Sequence, residues 1–441
     1  MNRNGWILII ALGLTMAACD SKYTVGGTVT GLSGSGLVLQ DNGGDNLSVA
    51  TDGTFTFSTD VGNGHVYAVT VATQPSSPSQ TCLVHNGSGT IDKADVTHVI
   101  VSCTQPGSFA FVANQVSNTI SAYAIDSSTG ELTQVAGSPF AANGTTPAAA
   151  VVNPNRQYLY LANNGSNTVS VFAIDSATAA LTPVGTPTAT DTGPAGIAIE
   201  PAGQYLYVAN QGGNDVSAYS IDGASGALTP LTGSPFAAGA GAYSLQADAG
   251  GNFLYVTNHG GSSVTAFSID PATGVLTRIA GSPFGSGAAP SSLALDPTGT
   301  YAYVGNETGD SISAYAVNGS SGALTPLSGS PFTTDSSPTA LAVDPAGSHL
   351  FVANATADNG IATFAITPST GALSPSVSVT VADGKLPAAM AVDPSGNLLY
   401  VANGTSDNLS VFFIGSGSGV LTEVSGSPFA AGSGPRAVAI D

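Results

Sequence analysis

Five side chains in the C-terminal part of the chain are of types that acid–base or ligand-binding chemistry uses: Tyr243, His259, Glu307, Lys385 and Arg436. His259 and Glu307 are candidates for a general base, and Arg436 with Lys385 could hold a carboxylate. Tyr243, Lys385 and Arg436 are the candidate ligand-binding residues, and His259, Glu307 and Arg436 are the catalytic candidates. Four carboxylates lie near these positions: Asp215, Asp310, Asp358 and Asp407.

These residues are interruptions in a repeat. A motif of the form Tyr-Val-Ala-Asn occurs seven times, with 47 to 49 residues from one asparagine to the next. The motif asparagines are Asn114, Asn163, Asn210, Asn258, Asn306, Asn354 and Asn403. A constant period of this length is the sequence signature of a repeat architecture.

Each repeat predicts four short strands separated by turns that are rich in Gly, Asn and Pro. In the third repeat the predicted strands are Ala195 to Ile199, Tyr205 to Asn210, Val216 to Ile221 and Ala227 to Leu231. Apolar and aromatic residues alternate along them, and no stretch shows a helical period. Seven such units predict an all-β fold, a seven-bladed β-propeller.

The two ends of the repeat region predict how the ring closes. The first repeat begins at its second strand, Phe109 to Asn114, and the chain ends with an unpaired first strand, Arg436 to Asp441. If the last strand completes the first blade in a 3+1 closure, no free sheet edge remains.

A single site in a symmetric ring must come from residues that differ between blades. Tyr243 and Arg436 stand near the start of first strands where other blades have Ala, Ser or Thr. His259 and Glu307 follow second strands where others have Gln, Asn, Ala or Gly, and Lys385 precedes the seventh blade. We therefore expect a site at the mouth of the central channel. Two structural alternatives remain: His259 as a solvated loop residue, and Arg436 as an ion-pair partner of an acidic rim.

Residues that recur in most blades predict structure instead. The Asp-Pro-x-Gly segments are typical of turns, in which Asp accepts backbone hydrogen bonds and Pro restricts φ. The Phe of Gly-Ser-Pro-Phe is expected between blades, and His349 on the opposite face is expected to be structural. Gly-Ser-Pro-Phe begins at residues 137, 233, 281, 329 and 426.

The repeated residues resemble the YVTN-type propeller repeat and the seven-bladed lactonase-like family that includes 6-phosphogluconolactonase and carboxymuconate cyclases. The resemblance covers residues 107–441 and implies the propeller fold. It also implies an activity, the opening of a lactone ring, in which His259 or Glu307 would activate water. Arg436 and Lys385 would then steady the oxyanion.

Charge and residue counts exclude several function classes. A formal net charge of −20 with seven Lys and Arg leaves no basic patch for nucleic acid. The repeat region has no cysteine and only two histidines, so we expect no metal and no other cofactor. The acidic balance also disfavours a phosphorylated lactone as substrate.

The first residues predict export and a lipid anchor. Arg3 precedes a short apolar run, which ends in Met16-Ala17-Ala18-Cys19 and resembles a bacterial lipobox. Residues 1–18 are thus a predicted lipoprotein signal peptide, with Cys19 lipidated and 19–22 a tether; an ordinary signal peptide is the alternative. The predicted location is the cell envelope, periplasm-facing or surface-exposed, with membrane contact only through the lipid.

Residues 23–104 predict a small sandwich-like β domain before the propeller at 105–441. The predicted strands are Tyr23 to Thr30, Leu37 to Leu39, Thr54 to Ser58, Val66 to Ala72 and Val96 to Cys103. In an oxidising compartment the remaining cysteines, Cys82 and Cys103, predict one disulfide. A spacer role is favoured for this domain.

Two functions remain open. The favoured one is a non-catalytic envelope module whose propeller face binds a protein, a glycan or a small molecule, because no convergent acid–base group is evident. The alternative is a lactonase-like hydrolase at the channel mouth, which depends on the resemblance and on the candidate residues.

Overall fold

The computed structural model describes residues 21–32, 35–75, 80–104, 108–355, 360–380 and 386–441. Every regular element among them is a β-strand. In this part of the chain there is no helix of the length and apolarity needed to span a membrane. The chain divides into two compact units, Met1–Pro106 and Gly107–Asp441.

The first unit is a sandwich of two four-stranded sheets around one apolar core. One sheet has the order Gly53–Thr56, Val25–Thr30, Val96–Thr104, Thr81–His85, and the other has the order Asp45–Val49, Leu37–Asp41, Val66–Thr73, Ser88–Thr90. A short pair joins Lys22–Tyr23 to Val61–Gly62. Alternate residues of both sheets, such as Val25 and Leu39, are buried in a shared cluster.

The disulfide between Cys82 and Cys103 is present, as predicted. The two cysteines are direct partners in the antiparallel pair of Thr81–His85 and Val96–Thr104. Both are buried in the core of the first unit. The bridge therefore fastens an edge strand to the strand beside it.

The second unit is a ring of seven antiparallel sheets, which we number blade 1 to blade 7. The innermost, or first, strands of blades 2 to 7 and then of blade 1 are Pro147–Val152, Pro194–Ile199, Ala242–Ala247, Pro290–Leu295, Pro338–Val343, Pro387–Val392 and Pro435–Ile440. From blade 1 onward the second strands are Ser108–Asn114, Tyr158–Asn163, Tyr205–Asn210, Phe253–Asn258, Tyr301–Asn306, His349–Asn354 and Leu398–Asn403.

The outer strands follow in the same blade order. The third strands are Thr119–Ile125, Thr168–Ile174, Asp215–Ile221, Ser263–Ile269, Ser311–Val317, Gly360–Ile366 and Asn408–Ile414. The fourth strands are Leu132–Gln134, Leu181–Pro183, Leu228–Pro230, Leu276–Arg278, Leu324–Pro326, Leu373–Thr380 and Leu421–Glu423. Among the described residues, a short fifth strand is added in all blades except blade 6: Phe140–Ala141, Thr188–Ala189, Phe236–Ala237, Phe284–Gly285, Phe332–Thr333 and Phe429–Ala430.

The ring closes by the predicted 3+1 arrangement. Pro435–Ile440 pairs antiparallel with Ser108–Asn114, and Val438 lies opposite Val112. Neighbouring first strands contact one another in cyclic order, including the pairs on either side of blade 1. The seven-bladed all-β fold is thus confirmed.

The apolar core of the propeller lies between the blades. Seven clusters of buried side chains occur, one at each interface from blades 1 and 2 round to blades 7 and 1. Second-strand tyrosines also bond across four interfaces; the Tyr160 hydroxyl, for example, donates to the Gly226 carbonyl at 3.0 Å. Each blade is therefore stabilised mainly by its two neighbours.

The repeated polar residues hold turns and loops. Asp344 accepts backbone N–H bonds from Ser348 and His349, and Glu200 accepts the equivalent bonds in its blade. In Gly-Ser-Pro-Phe the serine hydroxyl accepts a third-strand N–H, and the Phe packs against an inter-blade cluster. His349 is buried against Asp344, with 2.9 Å between Nδ1 and Oδ2.

We expect ring closure to control propeller stability. Val438 is 9% exposed in the closing strand, whereas Val420 is 40% exposed in an outer turn. Val438→Asp buries an unpaired carboxylate and should cost about 3 kcal/mol or more. Val420→Asp should change stability by less than about 0.5 kcal/mol. Urea unfolding of both variants measures the difference, and equal midpoints would contradict the closure.

We also expect the disulfide to stabilise only the first unit. The bridge spans 21 residues, and replacing both cysteines by Ala should cost about 3 kcal/mol through the larger entropy of the unfolded chain. Calorimetry should show one transition lowered and the transition of the cysteine-free propeller unchanged. A lowered propeller transition would argue against this assignment.

Candidate functional site

The channel mouth is formed by the loops that enter first strands and leave second strands. At the second position of each first strand, five blades carry a small residue and two carry Tyr243 and Arg436. These positions and the residues that follow them in the seven first strands line a central cavity of about 230 Å³. The two large side chains therefore stand where the channel is otherwise lined by Ala, Ser and Thr.

Tyr243 and Arg436 meet across the mouth. Arg436 lies in the closing strand of blade 1, and Tyr243 lies in the first strand of blade 4. The guanidinium Nη2 donates a hydrogen bond to the Tyr243 hydroxyl. Since the oxygen accepts from arginine, the phenolic proton remains available to another acceptor. Among the described residues no carboxylate forms an ion pair with Arg436.

His259 and Glu307 meet beside this bridge. They occupy the same loop position in adjacent blades 4 and 5, directly after the second strands. His259 Nε2 lies 3.2 Å from Glu307 Oε2, and the two side chains are 31% and 36% exposed. The His259 ring also packs against the Tyr243 ring at a centroid distance of 5.4 Å. His259 is therefore held on two sides.

We call Tyr243, His259, Glu307 and Arg436 the mouth cluster. The contacts run from Arg436 to Tyr243, from Tyr243 to His259, and from His259 to Glu307. Four of the five candidate residues are thus brought together in one partly buried group. It combines a cation, a hydroxyl donor and an imidazole–carboxylate pair, the set that hydrolysis of an ester uses.

A cavity of about 330 Å³ adjoins the mouth cluster. Glu307 and Arg436 lie on its wall, and the rest comes from loops of blades 1, 6 and 7. Val116 and Leu386 are part of this wall, and neither is among the candidates predicted from sequence. The same comparison between blades could have found them, because both differ in type from their equivalents.

The remaining candidates have other positions. Asp310 accepts the Ser337 N–H, and Asp407 accepts the Gly434 N–H; in other blades an asparagine makes this bond. These two carboxylates therefore support loops of the repeat. Lys385, Asp358 and Cys19 lie outside the described residues. Within the described part of the chain, no three His, Cys, Asp or Glu side chains are grouped to hold a metal.

Asp215 belongs to a separate carboxylate pair in blade 3. It is 9% exposed, and it accepts a 2.7 Å hydrogen bond from Asn210 Nδ2. Burial, with a smaller effect of Asp191, raises the pKa of Asp215 to about 6. The Thr192 backbone N–H lowers the pKa of Asp191, so Asp191 keeps its charge and Asp215 takes the proton.

Fold and mouth cluster together define a seven-bladed propeller with a polar channel mouth. The family described as "Lactonase, 7-bladed beta-propeller" matches residues 46–244, 233–331 and 326–439. The chain belongs to this family. No curated protein matches the chain.

Solved structures with the same fold include enzymes with lactonase names. A Bacteroides uniformis protein to which 6-phosphogluconolactonase activity is ascribed is 20% identical, with a TM-score of 0.68, over 76% of this chain and 100% of its own. The periplasmic gluconolactonase PpgL of Pseudomonas aeruginosa is 21% identical, with a TM-score of 0.64, over 76% of this chain and 98% of its own. At these identities the likeness shows the fold.

The raised pKa of Asp215 predicts a pH effect on stability. Between about pH 4 and pH 6 the folded protein keeps a proton that the unfolded chain releases, so stability from this group falls as pH rises. Asp215→Asn removes the cost of burying an ionised carboxylate at this position. It should therefore raise propeller stability at pH 7.5 by on the order of 1 kcal/mol. Thermal unfolding at pH 4.5 and pH 7.5 measures this change.

Asp191→Asn is the matched control for that measurement. Because burial is the largest cause of the shift, this variant should recover only part of the stabilisation. If Asp215→Asn were no more stable than wild type at pH 7.5, burial would not raise the pKa of the Asp215 carboxyl as inferred.

Proposed function

We propose that the protein is a lactone hydrolase whose active site is the mouth cluster. The observation that carries this proposal is the convergence of four symmetry-breaking residues on one group beside one cavity. Membership of the lactonase family supports the same chemistry. Repeated scaffold residues cannot account for the cluster, since at each of the two positions involved five blades do without such a side chain.

His259 is the general base of the proposed reaction. In the proposed tautomer Nε2–H of His259 donates a hydrogen bond to Glu307 Oε2, which leaves Nδ1 with a lone pair to take a proton from water. The Tyr243 ring and the Glu307 carboxylate together hold the imidazole plane. Glu307 is therefore a positioning residue that also stabilises the imidazolium.

Arg436 and Tyr243 stabilise the developing oxyanion. The guanidinium is a fixed positive charge, and its bond to the Tyr243 oxygen polarises the phenol as a donor. Both groups line the central cavity, and Arg436 also lies on the wall of the adjoining cavity of about 330 Å³, so a ring carbonyl bound beside Arg436 could accept from them. This is the arrangement that lowers the barrier to forming a tetrahedral intermediate.

The bond changes follow from these roles. As the water oxygen bonds to the lactone carbonyl carbon, Nδ1 of His259 takes the water proton and the carbonyl electrons move to oxygen. When the carbonyl re-forms, the bond from the acyl carbon to the ring oxygen breaks, and His259 returns its proton to that oxygen. The product is a hydroxy acid, and its carboxylate faces Arg436.

The favoured interpretation from sequence, a non-catalytic binding module, depended on the lack of a convergent acid–base group. The contact between His259 and Glu307 supplies such a group, so that argument no longer favours binding alone. A neutral or carboxylated lactone suits one arginine in an acidic protein better than a phosphorylated one does.

We propose further that the protein works in the cell envelope, anchored through Cys19. The lipobox-like segment and the disulfide of the first unit support an oxidising compartment outside the cytoplasm. Replacing Cys19 by Ser and fractionating the cells would test this location: the variant should leave the membrane fraction.

The hydrolase proposal predicts large losses of lactone-hydrolysing activity when residues of the mouth cluster are replaced. On the best substrate of a panel of γ-, δ- and sugar lactones, His259→Gln should cost about 100-fold or more, because the base is removed. Tyr243→Phe removes one donor to the oxyanion and should cost about 100-fold in kcat. Release of acid, followed with a pH indicator, measures both rates.

Gln211→Ala is the matched control, since Gln211 holds the loop position of His259 in blade 3. Its rate should equal that of wild type. If wild-type protein opens no lactone of the panel above the uncatalysed rate, the hydrolase proposal is wrong and the binding-module interpretation is the one left.

A further inference from the structure

Two exposed apolar side chains share the mouth cavity with the cluster. In the described part of the propeller the exposed large apolar residues are Val116, Leu386 and Val420. Val116 is 70% exposed and Leu386 is 44% exposed, and both line the cavity that Glu307 and Arg436 also line. Apolar surface open to water beside a polar cluster is typical of a binding site.

Neither side chain is required by the blade. At the position of Val116 every other blade has Gly or Thr: Gly165, Gly212, Gly260, Thr308, Thr356 and Thr405. At the position of Leu386 the other blades have Thr146, Gly193, Gly241, Ala289, Ser337 and Gly434. The two largest apolar residues of these loop positions therefore occur in adjacent blades 7 and 1, on one cavity.

The backbone conformation of Leu386 also makes leucine an unexpected residue at this loop position. Its φ is +54°, in the left-handed region, where three of the seven equivalent residues are glycine. A leucine in this region is unfavourable, and at 44% exposed its side chain recovers only part of that cost through burial. Folding alone would favour Gly or Ser at this position, so a ligand is the better explanation for leucine.

We propose that the lactone hydrolysed here carries an apolar alkyl or acyl substituent that packs against Val116 and Leu386. The inference rests on the proposed function and names its substrate class. The ring would lie at Arg436 and Glu307, and the substituent would extend over the loops of blades 7 and 1. Polar sugar lactones would leave the apolar wall in contact with hydroxyl groups.

The size of the cavity fits such a substrate. One water molecule takes about 30 Å³ in the liquid. A cavity of about 330 Å³ therefore has room for roughly ten non-hydrogen atoms. This is the size of a five-membered lactone with a four-carbon chain.

A homologous substrate series tests the inference. The rates of γ-butyrolactone, γ-hexalactone and γ-octalactone differ only through the chain, and each buried methylene should raise kcat/KM about two- to fourfold. Leu386→Ser and Val116→Thr install residues that other blades already carry at these positions. In both variants kcat/KM should increase less with chain length than in wild type. In Val420→Thr, a change on an outer turn, kcat/KM should increase with chain length as in wild type.

Binding of lactams separates the two proposals, because a lactam has the same ring and chain but resists hydrolysis. Titration calorimetry of wild-type protein should give tighter binding with each added methylene, and Leu386→Ser should reduce that gain. Equal rates and equal affinities for short and long chains would overturn the apolar-substituent inference alone. Chain-dependent lactam binding with no hydrolysis of any lactone would overturn the proposed function instead.

Discussion

The pairing of the last strand with the first complete one is the contact on which the rest of the propeller depends. Each blade is a sheet with apolar side chains on both faces, so it needs a neighbour on both sides. In an open array two blades would expose a whole face and two sheet edges to water. Pairing of Pro435–Ile440 with Ser108–Asn114 removes those edges and completes the seventh interface cluster.

The same strand carries Arg436, so closure and the candidate site are coupled. Arg436 and Tyr243 are 193 residues apart in sequence and come from blades three positions apart in the ring. Their hydrogen bond can form only when the ring is shut and the channel has its final width. A chain that failed to close would therefore lose the contact between Arg436 and Tyr243 along with its stability.

Symmetry is the second constraint on the molecule. Every blade packs against its neighbours in the same way. Residues shared by the blades, such as the turn aspartates and the second-strand asparagines, therefore have structural roles within the blade. Differences between blades are what can report on function. His259 and Glu307 illustrate this, since one loop position in two adjacent blades produces an imidazole–carboxylate contact that no other pair of blades repeats among the described residues.

The amino-acid sequence by itself determined the blade count, the strand pattern and the closing strand. A period of about 48 residues gives the number of blades, and alternating apolar positions mark the strands within each blade. The prediction from sequence missed the short fifth strands and, in the first unit, Asp45–Val49, Val61–Gly62, Thr81–His85 and Ser88–Thr90. These strands have two to five residues, which are too few to show a clear alternation. Comparison of blades also identified the candidate residues.

The convergence of these candidate residues was decided only by the tertiary structure. A histidine in a glycine-rich loop has the same sequence signature whether it faces solvent or a carboxylate from the next blade. What distinguishes the two cases is the angle between blades and the width of the channel, and both arise from packing around the whole ring.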